Sequence, residues 1–516
     1  MATVSLASSE GKWLMTSTIL ASSMAFIDGT ALNVILPALQ QNLNASGADL
    51  FWILNSYLLM LASLILIGGT LGDSLGRKKI FIIGIFIFVA GSGICGLAAD
   101  VRGLIISRII QGIGGALMIP GSLSLISSSI NEQERGKAIG TWSAFTTFVT
   151  LGGPILGGAL ADAGLWRYIF FINVPIGIAA LTVLWFKVEA TEEGIHNQRL
   201  DYTGALLVAV ALGLLTFGFL KIPETGLHNA QTYLTLGAGF LLIILFVYVE
   251  YKSKHPMMPL ALFAEKTFSG ANLLTFFLYA GLGGGMLFLS LNLVQIQGYS
   301  QLESGLTFLP FTVLMILLAR FAGKLADKFG PRLFLIFGPV TAGTGLLLLS
   351  FVDQTNGPQD YWITFFPGIL VLGAGMAFTV APLTTAVMAS VNEHLSGTAS
   401  GINNAMTRVA SVFANAIFGG LAVLFFSGAL SNNLSSSDFS SSEKTEILNE
   451  SGNLGNAQVP GSISLSRKVK VQKWYQQGFL HAYSIIMKIS ASLGFLGGLM
   501  AFLFVRVKVK EVRDLR

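Results

Sequence analysis

Apolar residues in this chain fall in runs of about 18 to 28, the length a helix needs to cross a hydrocarbon core of about 30 Å. Inside lipid no water is available to pair backbone N–H and C=O groups, so a spanning segment must satisfy them as a helix or as a closed barrel. A barrel would show segments of about ten alternating residues, and runs such as Leu236 to Val249 do not fit that pattern. Composition agrees with helices. Of 516 residues, 53% are hydrophobic and 11% charged, too little polar surface for a water-soluble fold, in which about a quarter of residues are charged.

Apolar runs set against charged or turn-rich breaks predict helices near 13–38, 50–71, 80–98, 103–127, 138–160 and 168–186, a group of six. Two more follow near 203–220 and 232–249 after the polar stretch Glu189 to Asp201. A second group of six lies near 268–293, 305–319, 333–351, 362–388, 401–426 and 479–505. The units are therefore 1–187, 188–255 and 256–516. With the N-terminus inside, the internal loops and tails collect 20 Lys and Arg residues, among them Arg77, Lys78, Lys79, Arg320, Lys324, Lys328 and the run Arg506 to Arg516, against 8 outside. Basic residues concentrate on the cytoplasmic side, so both ends are expected there.

The formal charge of +5 serves that orientation and does not imply a nucleic-acid partner. The single cysteine, Cys95, excludes an internal disulfide and a cysteine-type metal cluster. The first apolar segment, from Trp13 to about Leu39, carries Asp28 and lacks a small-residue cleavage site, so it is expected to stay as a membrane helix. The long outer loop 430–478 opens with Ser, Asn and acidic residues, read as a mobile tether, and ends with Trp474 and Tyr475, read as interfacial anchors for the last helix.

Two loops repeat one pattern: Gly69-Thr-Leu-Gly-Asp73-Ser-Leu-Gly76-Arg77-Lys78 and Gly323-Lys-Leu-Ala-Asp327-Lys-Phe-Gly330-Pro-Arg332. Each follows the second helix of its group, so the chain has two equivalent halves, which in transporters rock against each other around a midplane site. We read the repeated loops as conformational latches. The sequence here resembles the major facilitator superfamily in its 14-helix drug:proton antiporter branch. The likeness rests on both loops, with Ser74 departing from the usual basic residue, and on Arg108-Ile-Ile-Gln111-Gly112-Ile-Gly114-Gly115 in the fourth helix. It extends to Gly152-Gly153-Pro154-Ile-Leu-Gly157-Gly158 in the fifth, to Asp28-Gly-Thr30-Ala-Leu-Asn33-Val-Ile-Leu-Pro37 in the first, and to Trp166-Arg167…Asn173-Val-Pro175 and Asn404…Arg408. The resemblance implies an all-α polytopic membrane protein of two six-helix bundles plus two helices, 14 spans in all, in a bacterial cytoplasmic membrane. It further implies a monomer that exports small amphipathic or cationic molecules in exchange for protons. Export of one endogenous metabolite, lipid or siderophore is the alternative on the same fold.

Asp28 constrains the mechanism most, because a carboxylate inside a membrane helix costs about 2.5–3.5 kcal/mol on insertion scales and marks a proton or ion path. Counting along the helices places Arg108 at the same depth, roughly 8 Å inside the outer boundary. An arginine does not release its proton, so it would tune the acid and not carry the proton. Gln111, Gly112 and Gly115 share the Arg108 face, whereas Asn33 points away from Asp28. Gly153 and Gly157 stand four apart, with Pro154 removing a backbone donor, and suit a tight seal with Gly158. Asn33, Asn55, Gln111, Asn404 and Arg408 are the expected substrate pathway, with Asn404 and Arg408 left between lining the pore and bonding neighbouring helices. A cationic substrate would have Asp28 as its main countercharge, favouring monocations or neutral compounds over dications. No Gly-x-x-x-x-Gly-Lys-Ser/Thr loop occurs, so the proton gradient is the expected energy source and no cofactor is called for. Too few polar membrane residues converge for an enzyme.

Overall fold

The computed structural model describes residues 4–188, 201–225, 229–254, 256–391 and 395–506. The expected polar stretch 189–200 and the basic tail beyond Arg506 lie outside them, as do the side chains of Asp73, Ser74, Arg320 and Asp327. The described chain is helical apart from one isolated bridge, Val4 to Ile130.

The first group comprises α1 (Ser9–Leu43), α2 (Gly47–Leu75), α3 (Arg77–Leu97), α4 (Val101–Ser129), α5 (Glu132–Asp162) and a sixth span broken into α6 (Tyr168–Phe171) and α7 (Asn173–Lys187). The pair α8 (Tyr202–Thr225) and α9 (Ala230–Lys252) follows. The second group comprises α10 (Lys266–Gln295), a span broken into α11 (Gln301–Thr307) and α12 (Leu309–Phe329), α13 (Pro331–Leu349), α14 (Phe365–Ala389), α15 (Ser396–Ser435), the short α16 (Ser441–Asn449) and α17 (Leu465–Phe504). Thirteen spans of the described chain are long and apolar enough to cross a membrane, and α5, whose apolar part is Phe148–Asp162, supplies the fourteenth position.

Local chemistry sets the helix ends. Ser46 with Asp49 and Ser300 with Glu303 form capping boxes that satisfy the first orphan N–H groups of α2 and α11. The repeated loops turn on one residue each: Gly76 at φ 98° and Gly330 at φ 81°, a left-handed conformation that residues with a Cβ avoid. The repeat extends into packing, because a Cβ on Gly69 would lie 4.0 Å from Pro120 on α4 and one on Gly323 4.0 Å from Ala381 on α14. Each loop therefore closes the second helix of its half onto the fourth. Arg77 reaches the Ser124 carbonyl and Arg332 the Phe502 carbonyl, again within their own halves.

The segment expected to be a tether is folded. Helices α15 and α17 each run 40 residues, about 60 Å, and so project beyond the apolar core at one end of the bundle. Between them α16 and a 3-10 turn at Glu450–Asn456 pack through Ile447, Leu454 and Val471, all buried. Tyr475 is buried with its hydroxyl donating to the Ile447 carbonyl, and Trp474 meets the Phe439 ring edge-on, so these aromatics help build the cap. The polarity of residues 431–464 had masked the apolar residues spaced among them.

Candidate functional site

The fourth helix lies against the second because Gly112 and Gly115 give it room. A Cβ at Gly112 would stand 2.6 Å from the Tyr57 carbonyl oxygen, and one at Gly115 3.2 Å from the Tyr57 hydroxyl. That approach brings Arg108 over the Tyr57 ring, 4.3 Å from its centroid. From there Arg108 Nη1 donates to Asp28 Oδ2 at 2.6 Å and to Gln111 Oε1 at 2.7 Å, while Nε points to the Ile53 carbonyl at 3.4 Å. Gln111 Nε2 completes the ring by donating to Asp28 Oδ1 at 3.0 Å. Asp28 is 0% and Arg108 1% exposed. Both carboxylate oxygens are thus engaged by donors in a site without solvent, where electrostatic interactions are strong.

Gln111 belongs to this ring. It is fully buried. Asn55 is also fully buried, with neither amide atom bonded among the described residues. It faces the second half: Phe51 packs on Gly419 and Leu66 on Gly401, an antiparallel register that sets position 55 level with Asn415, whose Oδ1 is likewise unpartnered.

Helix α1 is flanked by α4, α5, α7 and α10, yet Gly29 is exposed and Phe26, Thr30 and Asn33 are half-exposed. These four share one face at helical spacing. In the second half α15 leaves Asn404 exposed and Arg408 and Ser411 half-buried, while the neighbouring Asn403 is tied to α10 through Asn272 at 3.2 Å and Thr275 at 2.7 Å. Of the two roles left open for this stretch, Asn403 bonds the neighbouring helix and Asn404 does not.

The fifth helix carries two stripes. Gly153 and Gly157 face α1, where a Cβ at 157 would lie 2.9 Å from the Ala31 carbonyl oxygen. Pro154 and Gly158 face α11 of the other half, where a Cβ at 158 would lie 2.6 Å from Leu302 Cα. Pro154 leaves the Thr150 carbonyl without its helical donor, and Thr30 Oγ1 of α1 stands 3.3 Å from that oxygen. Asp162, which the sequence reading missed, ends α5 and accepts from the backbone N–H groups of Gln301 and Leu302 at 2.8 and 2.9 Å. An acid in the last turn of a helix opposes the helix dipole, and that misfit was the available signal of an external partner. The cap adds a second bridge between the halves: Gln40 donates to the Asn453 carbonyl at 3.2 Å and accepts from Gln295 at 2.8 Å. The halves are therefore joined at the capped end.

Other residues singled out from the sequence have structural partners. Arg167 stacks on buried Trp166 and donates to the Ala98 carbonyl, and Asn173 donates to Ser92. Glu250, placed past its helix by the sequence reading, lies within α9 at 2% exposure and accepts from the Met258 N–H.

The family model described as Major Facilitator Superfamily matches residues 18–415. The chain is 32% identical to the multidrug resistance protein Stp of Mycobacterium tuberculosis, over 80% of this chain and 76% of that one. It is 32% identical to the tetracenomycin C resistance and export protein of Streptomyces glaucescens, over 77% and 73%, and 31% identical to the methylenomycin A resistance protein of Bacillus subtilis, over 79% and 87%. Among solved structures it is similar to a bacterial homologue of the human lysosomal transporter Spinster in an inward-facing, unoccupied conformation, with TM-score 0.68 at 18% identity over 97% of this chain and 99% of that one. The inward-open xylose transporter XylE of E. coli gives 0.56 at 17% identity over 96% and 98%.

Proposed function

The chain belongs to the major facilitator superfamily, and on that premise we propose that it exports small amphipathic compounds of the drug and antibiotic class from the bacterial cytoplasm in exchange for protons. It is a multi-pass membrane transporter and not an enzyme. Three similar proteins are named for resistance, and two of those names speak of drugs or export. The basic residues sorted to the repeated loops make that end cytoplasmic and the capped end external, with both termini inside.

The observation that carries proton coupling is the buried ring of Asp28, Arg108 and Gln111. An acid held this deep by an arginine loosens that hold when it takes a proton, because the ion pair is lost and one carboxyl oxygen becomes a donor. Protonation therefore weakens the tie of Arg108 and Gln111 on α4 to α1 and lets α4 shift against α2. Both helices carry the repeated-loop contacts, so loading the proton and moving the half are linked. The loops act as latches at the cytoplasmic end when the capped end opens, and the Gly-Pro stripes of α5 keep the external end dry when it is closed.

Everted vesicles with an imposed pH gradient test this reading. Asp28→Asn retains the shape of the side chain and cannot titrate, so gradient-driven export falls to background while the protein still inserts. Equal gradient-driven flux in the variant removes Asp28 from the mechanism.

A further inference from the structure

On sequence grounds Asp28 was the buried countercharge for a cation, but the fold has already filled it: both its oxygens hold donors, and one of them is Arg108 at 2.6 Å. A cationic substrate would have to displace a guanidinium that is fixed by Tyr57, Gln111 and the Ile53 carbonyl. The ring as a whole is neutral and sealed. Helix α14, the counterpart of α4 in the second half, contains no charged residue.

Arg408 is different. It sits in the middle of α15, half-buried, on the strip that includes Asn404 and Ser411, and it makes no ion pair or hydrogen bond among the described residues. Helix α15 packs against α2 and α8 as well as α10, α14 and α17, so it lies where the halves meet. Along the strip, Gly401 lies against Leu66 of α2 and Ser411 against Gly283 of α10, which places Arg408, between them, at the seam of the two halves. A guanidinium at that depth stays charged and needs an anionic partner to offset its desolvation. The protein supplies none among the described residues. The first half carries an aromatic pair beside its exposed α1 strip: Phe26 of α1 meets Trp142 of α5 edge-on at 6.3 Å, and Trp142 is oriented by donating to Ser22.

We propose that Arg408 is the substrate-binding cation of the central cavity, and that the preferred substrates are planar aromatic compounds bearing one carboxylate, phenolate or similar anionic group. The guanidinium fork binds a carboxylate through two parallel N–H donors, which fixes the orientation of the ring against Phe26 and Trp142. The proposal rests on the export reading above and narrows it by charge. It also gives the exchange a simple order: the anion enters from the cytoplasm while Arg108 is held by Asp28, and it meets Arg408.

The test uses three probes on one scaffold: naphthylacetic acid, naphthylacetamide and naphthylethylamine. Export from proteoliposomes with an imposed pH gradient is measured beside equilibrium binding to the purified protein. Wild type is expected to favour the acid over the amine by tenfold or more in KM and in Kd. In Arg408→Gln that ratio falls at least tenfold, through the acid, and Arg408→Lys restores part of it because charge returns without the fork. Equal preference for acid and amine in wild type, or a ratio unchanged in Arg408→Gln, overturns the assignment. Selective binding of the acid with no gradient-driven export of any probe would instead sink the export reading and leave the binding assignment standing.

Discussion

The first half of the bundle keeps its buried acid and its buried arginine together, whereas in the second half Arg408 lies within its helix with no acid partner among the described residues. Asp28 and Arg108 lie on α1 and α4, and the equivalent helices α10 and α14 carry no charge in their membrane-embedded parts. In place of an ionic ring the second half ties its helices with neutral bonds such as Asn403 to Asn272 and Thr275. The difference teaches a division of labour within one repeat: a sealed ion pair suits a group that must titrate, and an unpaired cation suits a group that must meet a solute. The loops, where both halves do the same mechanical task, have stayed alike, down to Gly76 and Gly330.

Three measurements would break or sharpen this comparison. The largest effect on export is expected where α5 packs on α1 within the first half. Gly157→Leu drives a branched side chain into the Ala31 backbone, an overpacking of about 1–3 kcal/mol in one conformation, and export should fall roughly tenfold or more with increased proton leak. Normal export together with normal proton retention would show that the Gly-Pro stripes are not a seal.

The next effect concerns the ionic ring. Arg108→Ala removes a charge that favours ionised Asp28 and leaves a buried acid without its cation, a loss of about 3–5 kcal/mol when the acid is charged. Substrate-induced proton release in purified protein should therefore move alkaline relative to wild type, because protonation now relieves the uncompensated charge. Arg108→Lys should sit between the two, and Asp28→Asn should show no such release. Superimposable titrations for wild type and Arg108→Ala would leave Arg108 as a packing residue and erase the contrast between the halves.

The smallest effect is predicted for the neutral bonds. Asn403→Ala should lower thermal stability by about 1 kcal/mol, the usual worth of a hydrogen bond, and leave the pH dependence of export where it was. A shifted pH profile would mean that the second half also takes part in proton handling.

Much of the fold was legible in the sequence because lipid leaves a chain few options. Run length and charge breaks marked fourteen segments, and a helix lies at each, with ends that differ by a few residues except at 305–319, which is broken and continues to Phe329, and at the last two, which carry an extended tip. Depth along a helix is also one-dimensional, so counting residues was enough to set Asp28 level with Arg108. What surrounds a side chain is not. Gln111 and Asn55 read as pathway residues because both are polar and in the membrane, and only the packing of α4 on α2, and of α2 on α15, shows them buried. The same applies to Asp162, whose partners lie on a helix about 140 residues away, and to the cap, whose buried Ile447 and Leu454 are scattered through a polar stretch. Sequence determined how many helices cross and which residues carry charge, since both follow from transfer into lipid. Whether a charge is paired or free depends on which helix faces meet, and that was decided by the tertiary structure, through close approaches such as Gly112 on Tyr57 that no single segment encodes.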